Sequence, residues 1–214
     1  MKIDPEELST RELYQWMTQL ITPRPIAWVS TVSPDGIANL APFSFFNGVG
    51  ANPPTIMFCP ANQRDGTPKD TLANIQRTGQ FAVNLVSFAD ADAMNATSAP
   101  YRFGQDEFEI ESIAKADCDQ IKVPRVADAI ASMECSLHTA MQIGTGPGGA
   151  NLVIGRVLQI HVRQDLILPS QELDASRLDT IGRMGRDDYI RTGSEEDVEN
   201  ASLFDLPRPK KRSL

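Results

Sequence analysis

The feature that most constrains this chain is a pair of long, strand-like segments separated by a glycine-rich turn. Residues Ser132–Gln142 alternate between two faces, Gly144–Gly149 suit a tight turn, and Asn151–Val162 are again rich in β-forming residues. Because a period of two is typical of a half-buried strand, the region predicts a long β-hairpin. We expect one face to carry Met133, Cys135, Leu137, Thr139 and Met141, and the other Glu134, Ser136, His138 and Gln142.

A second hairpin is predicted nearer the N-terminus. Ile26–Thr31 and Ile37–Phe46 flank the turn signal Ser33-Pro34-Asp35-Gly36, and Thr55–Cys59 and Phe81–Val86 are two further strand-like runs. The strands are joined by short turns and do not alternate steadily with long helices. This favours a mainly β fold, an antiparallel barrel with peripheral helices, over a doubly wound parallel sheet.

The first predicted helix begins with a capping box, in which Ser9 and Glu12 satisfy each other's backbone N–H groups. Its apolar positions recur at helical spacing and are Leu13, Trp16, Met17 and Leu20. Pro23 and Pro25 end it, because proline cannot donate a backbone hydrogen bond.

The second predicted helix covers Thr67–Thr78. Thr67 can cap it, Pro68 suits the first helical position, and Gly79 suits the left-handed residue that ends many helices. Residues 87–124 predict only short helices and loops.

We expect one domain at residues 1–206 and a basic tail at 207–214, which is either a frayed terminus or a localisation signal. No stretch reaches the ~20 apolar residues of a membrane helix. The acidic N-terminus also lacks the apolar core of a signal peptide. The sequence therefore predicts a cytoplasmic protein with no membrane partner.

Charge and cysteine content narrow the function classes further. A net charge of -8 argues against a nucleic-acid partner. Cys59, Cys118 and Cys135 are far apart and odd in number, and His138 and His161 are also distant in sequence. These patterns predict buried, reduced thiols and no metal site.

One familiar motif does not carry its usual meaning. Gly144, Gly146 and Gly149 match G-x-G-x-x-G, but a dinucleotide fingerprint needs a following helix whose N-terminus faces the pyrophosphate. Here the following segment is strand-like, so we interpret the glycines as a hairpin turn. The chain therefore has no evident built-in nicotinamide-binding domain.

Lys69, Asp70 and Thr71 lie in the first turn of the second predicted helix. A helix N-terminus carries partial positive charge and unpaired N–H groups, so a lysine and a hydroxyl there favour an anion-binding site. An exposed lysine with Asp70 as a local cap explains the same residues, and both interpretations are open.

The segment Asn39–Asn47 is a second candidate site. Pro42 lacks an N–H and marks an edge or irregularity of a strand, where neighbouring backbone groups can bind a ligand. Its candidate contacts are the aromatic Phe43, Phe45 and Phe46 and the polar Ser44 and Asn47. An ordinary core strand with aromatic residues is the open alternative.

Seven short motifs, in order and spacing, resemble the flavin reductase-like, FMN-binding split-barrel family, and they run from about Leu13 to Arg191. They are Arg24–Thr31 (RPIAWVST), Asn39–Asn47 (NLAPFSFFN), Asn52–Pro54 (NPP), Lys69–Ile75 (KDTLANI), Phe81–Leu85 (FAVNL), Asp106–Phe108 (DEF) and Ile181–Tyr189 (IGRMGRDDY). Each motif alone is weak, but seven in register are specific. Arg186 departs from the small residue expected at its position.

The resemblance implies an antiparallel split β-barrel that forms a homodimer and holds FMN noncovalently near the subunit interface. The segment from Ala41 to Asn47 would line the isoalloxazine and ribityl region, with Thr31 on the adjacent strand. Lys69 and Thr71 would hold the phosphate, and Asp70 would help to fix the turn.

Three further residues are implied less directly. Arg24 is a candidate for anion or ring contact, with a surface salt bridge as its alternative. Arg183 and Tyr189 would close over the site, possibly from the partner subunit, and ordinary C-terminal packing is the alternative for that pair.

The implied activity is that of an NAD(P)H-dependent flavin oxidoreductase. NADH or NADPH would bind as a visiting co-substrate and transfer hydride to the flavin, which would reduce a small-molecule or protein acceptor. No catalytic side chain is implied. The main alternative is an FMN-binding electron carrier with a protein donor. A flavin-free binding module and a nucleic-acid-binding barrel are further rivals.

Overall fold

An antiparallel seven-stranded sheet dominates the computed structural model, which describes residues 1–193 and 203–207. The strands are β1 (Ala27–Val32), β2 (Ala38–Phe43), β3 (Phe46–Ala51), β4 (Pro54–Phe58), β5 (Gln80–Leu85), β6 (Lys115–Ala116), β7 (Arg125–Val126), β8 (Ala131–Gln142), β9 (Asn151–Val162), β10 (Ile181–Arg183), β11 (Asp188–Arg191) and β12 (Leu203–Asp205). The large sheet has the order β2-β1-β5-β8-β9-β4-β3, while β10, β11 and β12 form a second sheet. Both predicted hairpins, β1–β2 and β8–β9, are confirmed, as is the mainly β class.

The sheet curves back on itself at a corner between β2 and β3. The prediction of one strand over Ile37–Phe46 is wrong, because the strand breaks at Ser44 and Phe45. β2 pairs with β1, whereas β3 pairs with β4, so the two strands lie at opposite edges of the sheet. Since only two residues join these edges, the sheet must close into a barrel at this corner. Pro42 lies on an edge strand, as predicted.

One bulge in β9 and one in β8 interrupt the pairing of these strands, and the bulge in β8 changes which of its residues face the core. The pairing with β9 shifts between Glu134 and Cys135 and again between Leu137 and Thr139. Cys135 is fully buried and Ala140 packs against the core, whereas Thr139 and Met141 are exposed. The predicted single apolar face is therefore wrong beyond Leu137, because the second shift leaves His138 as an extra residue in β8 and reverses the alternation.

Four α-helices accompany the strands within the described residues: α1 (Thr10–Leu20), α2 (Asp70–Thr78), α3 (Ala91–Ala96) and α4 (Glu107–Ile110). The capping box of α1 and the left-handed Gly79 after α2 (φ 69°) are confirmed. The start predicted for α2 is wrong, since Lys69 is its N-cap residue. Thr67 instead donates its hydroxyl hydrogen to Asp65 (2.6 Å), within the preceding turn.

The apolar side of α1 lies on the protein surface. Thr18 is the buried residue of this helix, while the side chains of Trp16, Met17 and Leu20 are 38%, 43% and 74% exposed. Three of the four apolar residues that recur at helical spacing therefore remain exposed in a single chain. Across residues 1–193 and 203–207, every helix is too short or too polar to span a membrane.

Side chains on opposite faces of β1 belong to two different cores. Val29 packs with Phe43, Phe58 and Phe81 in one cluster, while Trp28 packs in the other. The second cluster also contains residues from α3, α4, β10 and β11, namely Met94, Phe108, Ile181 and Tyr189. Most of the predicted basic tail, residues 208–214, lies outside the described residues. The expectation of one domain over 1–206 stays a prediction.

Candidate functional site

A buried polar network joins the N-terminal half of α2 to β1 and β2. The Asn39 side-chain amide donates to the hydroxyls of Thr31 (3.2 Å) and Thr71 (3.0 Å), and Asn74 also donates to Thr31 (3.1 Å). All four side chains are buried. Because buried amides and hydroxyls are stable only when paired, this network holds the start of α2 in one position against the sheet.

The structure thus brings two predicted contact residues, Thr31 and Thr71, into the same network. Their hydroxyl groups point into the interior and are bonded to asparagine amides. Asn39 and Asn74 were not singled out individually by the sequence, although both lie within the motifs that carry the family resemblance. Asn39 and Asn74 lie in two separate motifs, and their positions in the sequence do not indicate that they contact the same threonine.

Lys69 and the first turn of α2 form the cationic part of the site. Lys69 is exposed, and its ammonium group lies 5.6 Å from the centre of the Phe43 ring at the end of β2. The first N–H groups of a helix have no acceptor within the helix, and the helix dipole adds positive potential there. This arrangement can bind a phosphate group beside an aromatic surface.

Asp70 connects the same turn to a neighbouring loop. Its carboxylate accepts a hydrogen bond from the Gly104 N–H (2.9 Å), which agrees with a role in shaping the turn. A cavity of about 760 Å³ lies beside this loop and α2. Its walls include Thr67, Pro68, Arg77, Tyr101, Arg102 and Phe103. The residues predicted to bind flavin do not line this cavity. Its wall includes Pro68, the residue that precedes Lys69.

The predicted flavin-binding segment forms the corner between β2 and β3. Phe43 and Phe46 are buried, Ala41, Pro42, Ser44 and Phe45 are half-buried, and Asn47 is exposed. The Phe45 ring packs edge-on against Tyr14 with ring centres 6.3 Å apart. The corner therefore exposes part of an aromatic surface next to backbone that is no longer paired in a regular ladder.

Arg24 is buried and donates several hydrogen bonds, so it is not the surface salt-bridge residue of the alternative interpretation. It donates to the carbonyl groups of Thr18 and Ile21 (both 2.5 Å) at the end of α1, and to that of Met184 (2.7 Å). Its Nε also lies 3.4 Å from the Ser44 hydroxyl, and its guanidinium stands 5.9 Å from the Phe45 ring centre. Arg24 therefore supports the corner from behind.

Arg183 and Tyr189 form a stacked pair within this chain. The Arg183 guanidinium lies 4.4 Å from the Tyr189 ring centre, and Tyr189 is buried in the core that contains Trp28. Arg186, where a small residue is expected, has a φ of 56°, the left-handed region that favours glycine. Its carbonyl accepts a hydrogen bond from Arg183. The contact of Arg183 and Tyr189 with a ligand stays a prediction.

Glu107 is a buried acid next to this site that sequence reasoning missed. Its carboxylate accepts the Leu40 N–H on the outer side of β2 (2.9 Å). Burial raises the pKa of Glu107 to about 7, with smaller contributions from Asp70 and Asp106, although hydrogen bonding to Leu40 opposes the increase. Glu107 belongs to the quoted Asp106–Phe108 motif, but only the fold brings it to the β2 edge.

Comparisons with known proteins agree with this architecture. A family model described as "Flavin reductase like domain" matches residues 18–172. The crystal structure of nitrilotriacetate monooxygenase component B from Bacillus cereus is 32% identical, with a TM-score of 0.85, over 91% of this chain and 96% of that one.

Two further solved structures are similar over nearly the whole chain. The 2-nitrobenzoate 2-nitroreductase of Pseudomonas fluorescens is 26% identical, with a TM-score of 0.82 and full coverage of both chains. A flavin reductase with a split barrel domain from Shewanella frigidimarina is 22% identical, with a TM-score of 0.74, covering 98% of this chain and 100% of that one. The antiparallel split-barrel fold predicted from the sequence is confirmed.

Proposed function

Because this chain belongs to the flavin reductase-like family, we propose that it is an oxidoreductase that binds FMN and uses NADH or NADPH as its electron donor. In this proposal hydride passes from the nicotinamide to the flavin, and electrons then pass to a second, small-molecule or protein acceptor. The three cysteines form no disulfide with one another, which agrees with the proposed cytoplasmic location.

The observation that carries the proposal is the position of Lys69 at the N-terminus of α2, beside Phe43. A dianionic phosphate suits an ammonium group and helix N–H groups, while the aromatic corner suits a flat ring system. The residues present therefore fit FMN. Lys69 and the first turn of α2 would hold its phosphate, and the segment from Ala41 to Asn47 would line its ring and ribityl chain.

The remaining residues of the site act as supports. Asn39 and Asn74 hold α2 in register with β1 through Thr31 and Thr71, and Arg24 holds Ser44 at the corner. Bound FMN supplies the two-electron redox chemistry, so the protein needs to orient its partners and exclude side reactions. The G-x-G-x-x-G sequence leads into β9 rather than a helix, which agrees with a nicotinamide cofactor that visits as a substrate.

The similar proteins support a second acceptor, because one is a nitroreductase and another is a component of a monooxygenase. Visible spectra of the purified protein with FMN, recorded anaerobically before and after NADH or NADPH is added, test the proposed reaction. Bleaching of the flavin bands is the expected result. Flavin bands that persist with both donors would favour the electron carrier, and failure to bind any flavin would refute both functions.

The phosphate-binding role of Lys69 has a separate test. Lys69→Ala is expected to weaken FMN binding by about 1–3 kcal/mol, because it removes a charge-assisted hydrogen bond. Titration of flavin fluorescence measures this change. The matched control is Lys122→Ala, which removes another exposed lysine from a different surface. Equal FMN affinity in Lys69→Ala and the wild type would refute the assignment.

We further propose that the chain forms a homodimer through the apolar side of α1. Trp16, Met17 and Leu20 are too exposed for a helix that faces only water, and a second copy of this chain is the partner that the family resemblance implies. Leu20→Glu is expected to shift the mass in solution from dimer to monomer, as measured by light scattering. Ile37→Glu, in the β1–β2 turn, is the control. A monomeric wild type with FMN bound would contradict the proposal.

A further inference from the structure

Three potential metal ligands meet at a place remote in sequence from the flavin-binding motifs. One ligand atom from each of Cys118, Glu134 and His161 lies within 4.8 Å of the other two. Glu134 belongs to β8 and His161 to the adjacent β9, whereas Cys118 lies in the loop between β6 and β7. The separation in sequence that argued against a metal site therefore does not persist in the fold.

Glu134 connects the loop and the two strands of this cluster through the contacts of its carboxylate. Its fully buried carboxylate accepts the backbone N–H groups of Asp119 (2.8 Å) and Gln120 (2.6 Å), and His161 Nε2 lies 2.5 Å from it. A buried carboxylate thus lies directly beside a thiol and an imidazole.

The donor types suit a particular class of metal ion. Zinc-class ions accept thiolate, imidazole and carboxylate ligands in tetrahedral sites, with metal–ligand distances of roughly 2.0–2.3 Å. Donor atoms in such a site are roughly 3.3–3.6 Å apart, so shifts of about 1 Å bring the three side chains to ligand positions. The His161 side chain is 20% exposed, which provides a route for the ion and for a water molecule as fourth ligand.

We propose that Cys118, Glu134 and His161 bind a divalent transition-metal ion of the zinc class, which links the β6–β7 loop to the β8–β9 hairpin. Binding releases the proton of the Cys118 thiol and uses an unprotonated ring nitrogen of His161. Asp119 and Gln120, which already donate to Glu134, hold the carboxylate in place as outer-shell residues.

The test uses the full chain, treated with a chelator, dialysed and titrated with Co²⁺ and then Zn²⁺. Difference spectra are expected to show one Co²⁺ per chain with a thiolate-to-cobalt charge-transfer band, which Zn²⁺ abolishes. Cys118→Ser should remove the band, and both Cys118→Ser and His161→Gln should weaken Co²⁺ binding about 100-fold. The matched controls, Cys59→Ser and His138→Gln, should leave both unchanged.

Three outcomes would overturn the proposal: no stoichiometric Co²⁺ binding by the folded wild type, Co²⁺ binding in Cys118→Ser and His161→Gln that is as tight as in the wild type, or a cobalt coordination shell without sulfur. Circular dichroism establishes that the variants are folded. X-ray absorption of the wild-type cobalt complex needs no variant; sulfur in the coordination shell supports the proposal, and its absence refutes it. None of these readouts depends on flavin binding, so the result is independent of the proposed function.

Discussion

Glu107 and Glu134 are both buried glutamates, yet their surroundings shift their acidity in opposite directions. Glu107 accepts the Leu40 N–H, and burial raises its pKa to about 7. Glu134 accepts two backbone N–H groups and lies beside His161, and these hydrogen bonds lower its pKa in spite of burial. Burial alone therefore does not decide the charge of a carboxylate, because hydrogen-bond donors and a neighbouring imidazole can outweigh it.

The two residues also serve different parts of the molecule. Glu107 accepts the N–H of Leu40 in β2, and the preceding residue, Asn39, belongs to the network that holds α2 against the sheet. Glu134 holds the loop at Asp119 and Gln120 against the β8–β9 hairpin. We therefore expect the protonation of Glu107 to change with pH near neutrality. The carboxylate of Glu134, which holds the loop at Asp119 and Gln120, should stay ionised at neutral pH.

The largest expected effect comes from removing Glu134. Glu134→Ala leaves the N–H groups of Asp119 and Gln120 and the ring of His161 without their buried acceptor, so the free energy of unfolding should fall by about 3–5 kcal/mol. Urea denaturation measures the change. The control is Glu109→Ala, which removes an exposed carboxylate paired with Lys115 and should have a much smaller effect. Similar losses in both variants would contradict the structural role of Glu134.

A second prediction concerns the pH dependence of stability. The folded-state pKa of Glu107, about 7, exceeds its ordinary value of 4.5. Its contribution to stability is therefore fully present below pH 4.5 and is lost as the pH rises through about 7, a change of about 3 kcal/mol. The contribution of Glu134 has the opposite sign, because its pKa is lowered: it is present above the unfolded-state pKa and lost as the pH falls.

Glu107→Gln isolates this effect, since glutamine still offers an oxygen to Leu40 but does not titrate. Urea denaturation between about pH 5 and about pH 8 should show that the wild type loses stability relative to the variant as the pH rises. A constant difference between the two proteins across this range would show that Glu107 is not the titrating group.

The smallest expected effect is electrostatic. Asp70→Asn keeps an oxygen for the Gly104 N–H but removes a negative charge near Glu107, so the pKa of Glu107 should fall by less than about one unit. A nuclear magnetic resonance titration of the Glu107 carboxyl carbon measures the shift. Asp35→Asn, in the exposed β1–β2 turn, is the control. If both variants have the same Glu107 pKa, Asp70 does not contribute.

Predictions from residues close together in the sequence are confirmed where one local interaction decides the structure. The Ser9–Glu12 capping box and the left-handed Gly79 are such cases. Thr67 failed as the cap of α2 because Asp65, two residues earlier, engages its hydroxyl. The alternation in β8 failed beyond Leu137 because bulges depend on pairing with β9. The split-barrel class followed from the hairpin pattern together with the family motifs.

The sequence by itself determined the start of α1, the end of α2, the two hairpins, the family and the motifs that contain the candidate flavin residues, because these follow from short-range chemistry and motif order. Only the tertiary structure decided that β2 and β3 close the barrel at Ser44 and Phe45. It also decided the charge states of Glu107 and Glu134 and the meeting of Cys118 with His161. These features depend on contacts between distant segments, whose geometry and local dielectric exist only once the chain has folded.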